Sequence, residues 1–239
     1  MKRLNSFLNT RKGSKILDVG TGGGNFIATL TNLFDGYGEI VGIDTSLGAI
    51  KSARESFKDE RISFEQMDAN KMTFEDNSFD IICLSNSLHH LENPKEIFAE
   101  MERVLAQYGI IIINEMISDG LSKRQKSHLK LHHFAAEVDR ALGGTHNETF
   151  KGVEVASKLA EYSTLRVKSI FEVPSGRTGG KDENTKEEMD WLYNTIDRIL
   201  NRVDELDNKM YFRKKAEKIR NYIKKNGFDS ATQLVVVLG

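Results

Sequence analysis

A chain of 239 residues, 39% hydrophobic and 29% charged, has the length and composition of one ordinary globular domain with insertions. Its formal net charge of −1 supplies no basic field for a phosphate backbone, so no nucleic-acid partner is expected, and its one cysteine excludes an internal disulfide framework or thiolate zinc site. No apolar run reaches the length of a membrane span and no signal peptide is visible at the start, so no membrane partner is expected and the expected compartment is the cytoplasm.

Residues 1–14 are polar and allow a helical turn or two. The stretch Ile16-Leu17-Asp18-Val19 then reads as a strand that stops at Gly20-Thr21-Gly22-Gly23-Gly24, and helical spacing resumes at Phe26, Ile27, Leu30 and Leu33. A strand, a glycine turn and a helix form a ligand cradle: glycine admits positive φ and close approach, and the helix start directs N–H groups into the same space. The turn departs from the dinucleotide fingerprint, whose third glycine falls on Asn25, and from the phosphate loop, which needs Gly-Lys-Ser/Thr.

Glu39–Ile43 is the second strand, ending at Asp44 and followed by Thr45-Ser46, with Ser46 placed to cap the next helix. An acid there, roughly 20 residues beyond the glycine turn, can accept both ribose hydroxyls of a nucleoside, although acids also simply end strands. Ile62–Met67 is the third strand and leads to Asp68-Ala69; Phe79–Leu84 is the fourth and leads to Ser85-Asn86-Ser87-Leu88-His89-His90. A helix over 94–105, a turn at Gly109 and a fifth strand over 110–114 follow, with Glu115 at its mouth.

The pattern Asp18-x-Gly20-x-Gly22-x-Gly24 resembles the first motif of class I S-adenosylmethionine-dependent methyltransferases. The segment from Met72 to Pro94 resembles the ubiquinone/menaquinone-biosynthesis type of small-molecule methyltransferase, and the resemblance covers residues 15–118. It implies a doubly wound, seven-stranded Rossmann-like sheet with the last strand antiparallel. It also implies S-adenosylmethionine as cofactor, held by Asp18, Gly20, Thr21, Gly22, Gly24, Asp44, Thr45, Asp68, Ala69 and Ser85, with Asp68 on the adenine amino group. Gln107-Tyr108-Gly109 stands where relatives usually carry Pro-Gly-Gly. Ser85-Asn86-Ser87 lacks the Asn/Asp-Pro-Pro-aromatic form used on exocyclic amines of bases, and an arsenite-type thiol relay would need more cysteines.

Past Ser118 the chain departs from a minimal fold of this kind. Residues 120–146 read as a histidine-rich helix closed by Gly143-Gly144, and 148–162 as a sheet-packing helix with Val153, Ala156, Leu159 and Ala160 inward. Two strands, 164–173 and 233–238, are separated by roughly sixty residues, far beyond a hairpin loop. Within them a polar loop, 175–184, precedes Met189, Leu192, Ile196, Ile199, Val203, Leu206 and Met210, which recur at intervals of three and four. Phe212, Ala216, Ile219 and Ile223 continue out of register, so a bend is expected near Asp207-Asn208 and a cap at Gly227. The expected organisation is a cofactor-binding core, 1–119, 147–175 and 230–239, with a helical cap segment, 120–146, and a helical insertion, 176–229. The insertion seam reads either as cap packing or as a homodimer seam through 189–223.

His89 and His90, on the rim beyond the fourth strand, read either as a base for the methyl acceptor or as pocket-wall packing. Four of the six histidines lie between 128 and 146. His128 and His132 share a helix face that Asp139 extends, His133 and Glu137 form a second pair, and His146 can fold back on either. His128, His132, His133 and His146 therefore read as an acceptor-pocket lining, a metal site or a solvated face. The expected function is methyl transfer from S-adenosylmethionine to a small-molecule acceptor by in-line displacement. The rivals are a sensor or assembly protein that binds the cofactor without transferring methyl, and a more distant nicotinamide oxidoreductase.

Overall fold

The computed structural model describes residues 2–174 and 184–239, so the expected polar loop from Ser175 lies outside the described residues except at Asn184. The chain divides into two compact units, one of residues 1–115, 153–173 and 234–239 and one of residues 116–152 and 174–233.

The first unit is built on seven strands: β1 (Lys15–Val19), β2 (Glu39–Asp44), β3 (Ile62–Gln66), β4 (Phe79–Ser85), β5 (Leu105–Met116), β6 (Val167–Val173) and β7 (Gln233–Leu238), in the order β3-β2-β1-β4-β5-β7-β6. Strands β3, β2, β1, β4 and β5 are parallel, with Asp18 of β1 level with Gly42 on one side and Cys83 on the other. The start of β7 meets the end of β5 through Ile117 N–H to Thr232 C=O, and Gly239 N–H returns to Arg166 C=O beside the start of β6. Strand β7 is therefore antiparallel to both neighbours. The central strands are largely buried because both faces are covered, whereas the edge strands β3 and β6 expose alternate residues.

The covering helices are α1 (Lys2–Leu8), α2 (Asn25–Leu33), α3 (Leu47–Ser56), α4 (Pro94–Val104) and α6 (Gly152–Tyr162). Even the short α1 contributes, since Leu4 and Leu8 are fully buried in the core with Ile27, Leu30, Ile50, Ile81 and Ile112. Ser46 caps α3 by accepting the Ala49 N–H. Helix α6 starts later than expected; Leu159 is buried as expected and Ala156 half-buried, but Val155, four before Leu159, is buried in place of Val153, which is 74% exposed, and Ala160 is exposed.

Strand β5 begins five residues before the expected Ile110. Leu105 pairs with Phe79, and the ladder resumes at Ile110 opposite Ile81, so the expected turn is a bulge within one strand. The left-handed residue of that bulge is Tyr108 (φ +66°).

The second unit is a bundle of α5 (Lys123–Ala141), α7 (Lys186–Asn201) and α8 (Lys209–Asn226). Capping boxes start two of its helices, Ser122 with Gln125 on α5 and Thr185 with Glu188 on α7. Leu192, Ile196 and Val203 of the expected seam pack with Leu131, Phe134 and Val138 of α5 and with Phe212, Ala216, Ile219 and Ile223 of α8. These seam residues therefore pack within the chain. Met210, beyond the bend at Asn208, is 57% exposed and leaves the seam, and Gly227 ends α8 with φ +74°.

Tyr108 is 84% exposed, so its ring contributes little while its backbone bears a left-handed conformation. Tyr108→Gly is expected to stabilise the protein by up to about 1 kcal/mol, the strain relieved exceeding the extra chain entropy of glycine. An upward shift of the urea midpoint without change of slope checks this; a downward shift refutes it.

Candidate active site

The carboxyl ends of the parallel strands carry the residues expected to bind a cofactor. Beyond β1 the glycine turn has positive φ at Gly20, Gly22 and Gly24, +67°, +54° and +84°. The reason for glycine differs at each. A Cβ on Gly20 would lie 2.7 Å from the Ser87 hydroxyl oxygen, and one on Gly24 would lie 2.5 Å from the Phe57 ring. A Cβ on Gly22 would meet nothing within 4 Å and would project into open space. Gly20 and Gly24 thus permit close packing, and Gly22 keeps a space clear.

Asp44 closes the turn from the end of β2. Its Oδ2 accepts the Gly22 N–H at 2.9 Å and its Oδ1 accepts the Ser46 N–H at 2.8 Å. The adjacent Thr45 accepts the Gln66 amide through its carbonyl at 2.9 Å. Asp68, beyond β3, is exposed; its Oδ1 takes the backbone and side-chain N–H groups of Asn70, which hold the carboxyl below its usual range. Ala69 beside it is half-buried. Ser85 ends β4, where its hydroxyl oxygen accepts the Asn114 amide at 2.9 Å.

Asp18 is the anomaly of the site. It is 1% exposed at the end of β1, and neither carboxylate oxygen has a hydrogen-bond partner among the described residues. Burial pushes its carboxyl up to about 7; the nearby Thr21 hydroxyl pulls the other way without completing a hydrogen bond, and the negative Asp44 adds to the rise. The Thr21 hydroxyl is itself buried and unpartnered. A buried carboxyl two residues before a glycine turn, unpaired among the described residues, suits a cationic ligand group.

Beyond β4, His89 and Glu115 are both fully buried, with Nδ1 2.5 Å from Oε1. The second Glu115 oxygen accepts the Leu88 N–H at 3.1 Å. Glu115 Oε1 thus faces His89 Nδ1, and Nε2 is the ring nitrogen on the side away from Glu115. His90 stacks on it with ring centroids 4.3 Å apart. Glu115, Ser87 and Phe57 were not singled out as site residues by their sequence. The one signal was Glu115 itself, an acid ending an apolar strand next to the strand that leads to His89.

The second unit divides the other histidines. His128 accepts the Ala231 N–H through Nδ1 at 3.0 Å and packs on Phe228; burial pushes its imidazole down, towards the neutral form that an acceptor requires. His133 accepts the Thr149 N–H at 3.3 Å, with Nε2 3.0 Å from Thr149 Oγ1. Its expected partner Glu137 instead accepts from Tyr211 and Lys215 on α8. His132 and His146 converge, their Nε2 atoms 3.3 Å apart. Asp139 Oδ2 lies 2.6 Å from His146 Nδ1, and its other oxygen lies 2.6 Å from Arg202.

A seven-stranded sheet of this order, with a glycine turn after β1 and acids after β2 and β3, is the class I methyltransferase fold. Residues 17–113 match the family described as "Methyltransferase domain". The chain is 32% identical over 115 residues to demethylmenaquinone methyltransferase of Staphylococcus aureus (strain JH9), 48% of each protein, so it spans about half the length of the curated relatives it matches. Among solved structures it is similar to the YcgJ protein of Bacillus subtilis (15% identity, 100% of this chain and 96% of that one, TM-score 0.58). It is also similar to a SAM-dependent methyltransferase of Aquifex aeolicus (19% identity, 72% and 82% covered, TM-score 0.54). No described helix is long and apolar enough to cross a membrane.

The Asp18 carboxyl sets a pH signature. Folded protein keeps this proton up to about pH 7, whereas the unfolded chain loses it near 3.8, so stability falls as pH rises between these values and levels off above them. Urea unfolding at pH 5 and pH 8 should show this loss in the wild type and a smaller one in Asp18→Asn. Equal losses in the two proteins would contradict the assignment.

Proposed function

We propose that the chain transfers a methyl group from S-adenosylmethionine to a small-molecule acceptor. The observation that carries this reading is the unpartnered Asp18 carboxylate beside the clear space at Gly22. When bound, the cofactor supplies the activated methyl group and its own sulfide leaving group, so the protein's share is alignment, exclusion of water and proton handling. The Asp18 carboxylate would pair with the ammonium of the cofactor's methionyl portion. Asp44, which keeps acceptor capacity beyond its two backbone bonds, would take the ribose hydroxyls, and the exposed Asp68 Oδ2 the adenine amino group. Gly20, Thr21, Gly24, Thr45, Ala69 and Ser85 would complete the cradle.

On the acceptor side, His89 would take the proton of the nucleophile at Nε2. Glu115 holds the opposite nitrogen at 2.5 Å and would stabilise the imidazolium that forms. His90 would wall the same rim. A small acceptor is supported by the net charge of −1, by the absence of the Asn/Asp-Pro-Pro-aromatic motif at Ser85–Ser87 and by the relative's name, which points to quinone-like aromatics. In this reading residues 1–119, 147–175 and 230–239 form the cofactor-binding core, and 120–146 and 176–229 are separate helical segments.

Calorimetry with S-adenosylhomocysteine tests the cofactor half. Asp44→Ala should weaken binding by about 1.5–3 kcal/mol through lost charge-assisted hydrogen bonds. Gly22→Val should abolish binding with a circular dichroism spectrum near wild type, because its side chain would fill the cleared space. Unchanged affinity in both variants would place the ligand elsewhere and remove the proposal's basis.

A further inference from the structure

His132 and His146 are the two histidines of the helical unit whose ring nitrogens meet, and three features of that meeting go beyond chance placement on a helix. The first is distance. Two imidazole nitrogens bound to one tetrahedral ion at about 2.0–2.1 Å lie about 3.3 Å apart, the separation observed between the two Nε2 atoms. The second is orientation: the rings cross at 69° with centroids 4.9 Å apart, edge to face rather than stacked, so nitrogen meets nitrogen. The third is support. Asp139 accepts the Nδ1–H of His146 at 2.6 Å, which fixes the tautomer with the Nε2 lone pair directed at His132.

Asp139 is itself held by Arg202 at 2.6 Å. The loop carrying His146 is also pinned: Arg140 donates to the His146 carbonyl, and Thr149 donates its N–H to His133. His146 is 6% exposed, yet its position is fixed at both ends of the ring and along the backbone.

We propose that His132 Nε2 and His146 Nε2 form a binding site for a divalent cation of the zinc class, with Asp139 as the carboxylate behind His146. Neutral imidazoles suit a borderline ion, and the remaining coordination positions take water or a ligand oxygen. The bland alternative is a direct imidazole–imidazole hydrogen bond, with His132 donating to His146. That arrangement uses the same contacts but has no affinity for metal.

The test uses untagged full-length protein, stripped with a chelator and titrated calorimetrically with Zn²⁺ against a competing chelator, with no cofactor present. Uptake of one ion per chain is expected, with affinity reduced at least about ten-fold by His132→Ala and about ten-fold by Asp139→Asn. His132 is half-buried and Asp139→Asn preserves shape, so both variants should keep the wild-type circular dichroism spectrum. Should His146→Ala fail to fold, these two variants decide alone. Absence of saturable Zn²⁺ uptake by the wild type, or equal uptake by wild type, His132→Ala and Asp139→Asn, overturns the site. Because the readout is metal alone, the result stands whatever the fate of the methyl-transfer reading.

Discussion

A carboxyl sits near the end of the central strand with no partner for either oxygen among the described residues, and much of the candidate site depends on it. Asp18 lies between Gly42 and Cys83 in the ladder, deep enough that its carboxyl is raised to about 7. A protein that only had to fold would place an apolar residue or a bonded amide there. The glycine turn starts two residues later, and Asp44, which holds the Gly22 N–H, raises the Asp18 carboxyl further. The turn and both acids therefore form one electrostatic unit. A cationic ligand group would lower the cost of ionising Asp18, so binding and deprotonation at this position are coupled.

Glu115 makes an instructive contrast. It too is fully buried at the end of a parallel strand, but each of its oxygens has a partner, His89 Nδ1 and the Leu88 N–H. A carboxylate with both oxygens engaged serves to hold its partners, whereas one with neither engaged is ready to meet something that is not part of the chain. The two acids lie on strands separated only by β4 and follow opposite rules.

What could be read from the sequence was local in origin. The apolar runs, the glycine turn, Asp44 and the Ser46 cap each follow from a few neighbouring residues, and the structure places them as the spacing predicts. The interval of three and four from Met189 to Leu206 announced a buried helical stripe, but an apolar stripe does not name its partner, and α5 and α8 fill that role. The inward face of α6 slipped because Val153 and Val155 lie two apart and periodicity alone does not choose between them. The pairing of Glu115 with His89 was hidden for a different reason. It joins residues 26 positions apart, across two strands whose register appears only once the sheet is assembled.

The four histidines from 128 to 146 show how one helix face can be divided by tertiary structure. Positions 128, 132 and 139 lie on one side of α5, and 133 and 137 lie beside them. The chain uses the outer members as anchors, His128 for the returning strand at Ala231 and His133 for the loop at Thr149. These bonds fix the loop before any ligand arrives, so the ordering cost of bringing His146 to His132 is met during folding. With the anchors in place, the Asp139–His146–His132 chain is preorganised rather than assembled on binding. A solvated helix face has no need of such scaffolding, and the anchors weigh against that reading as much as the convergent pair does.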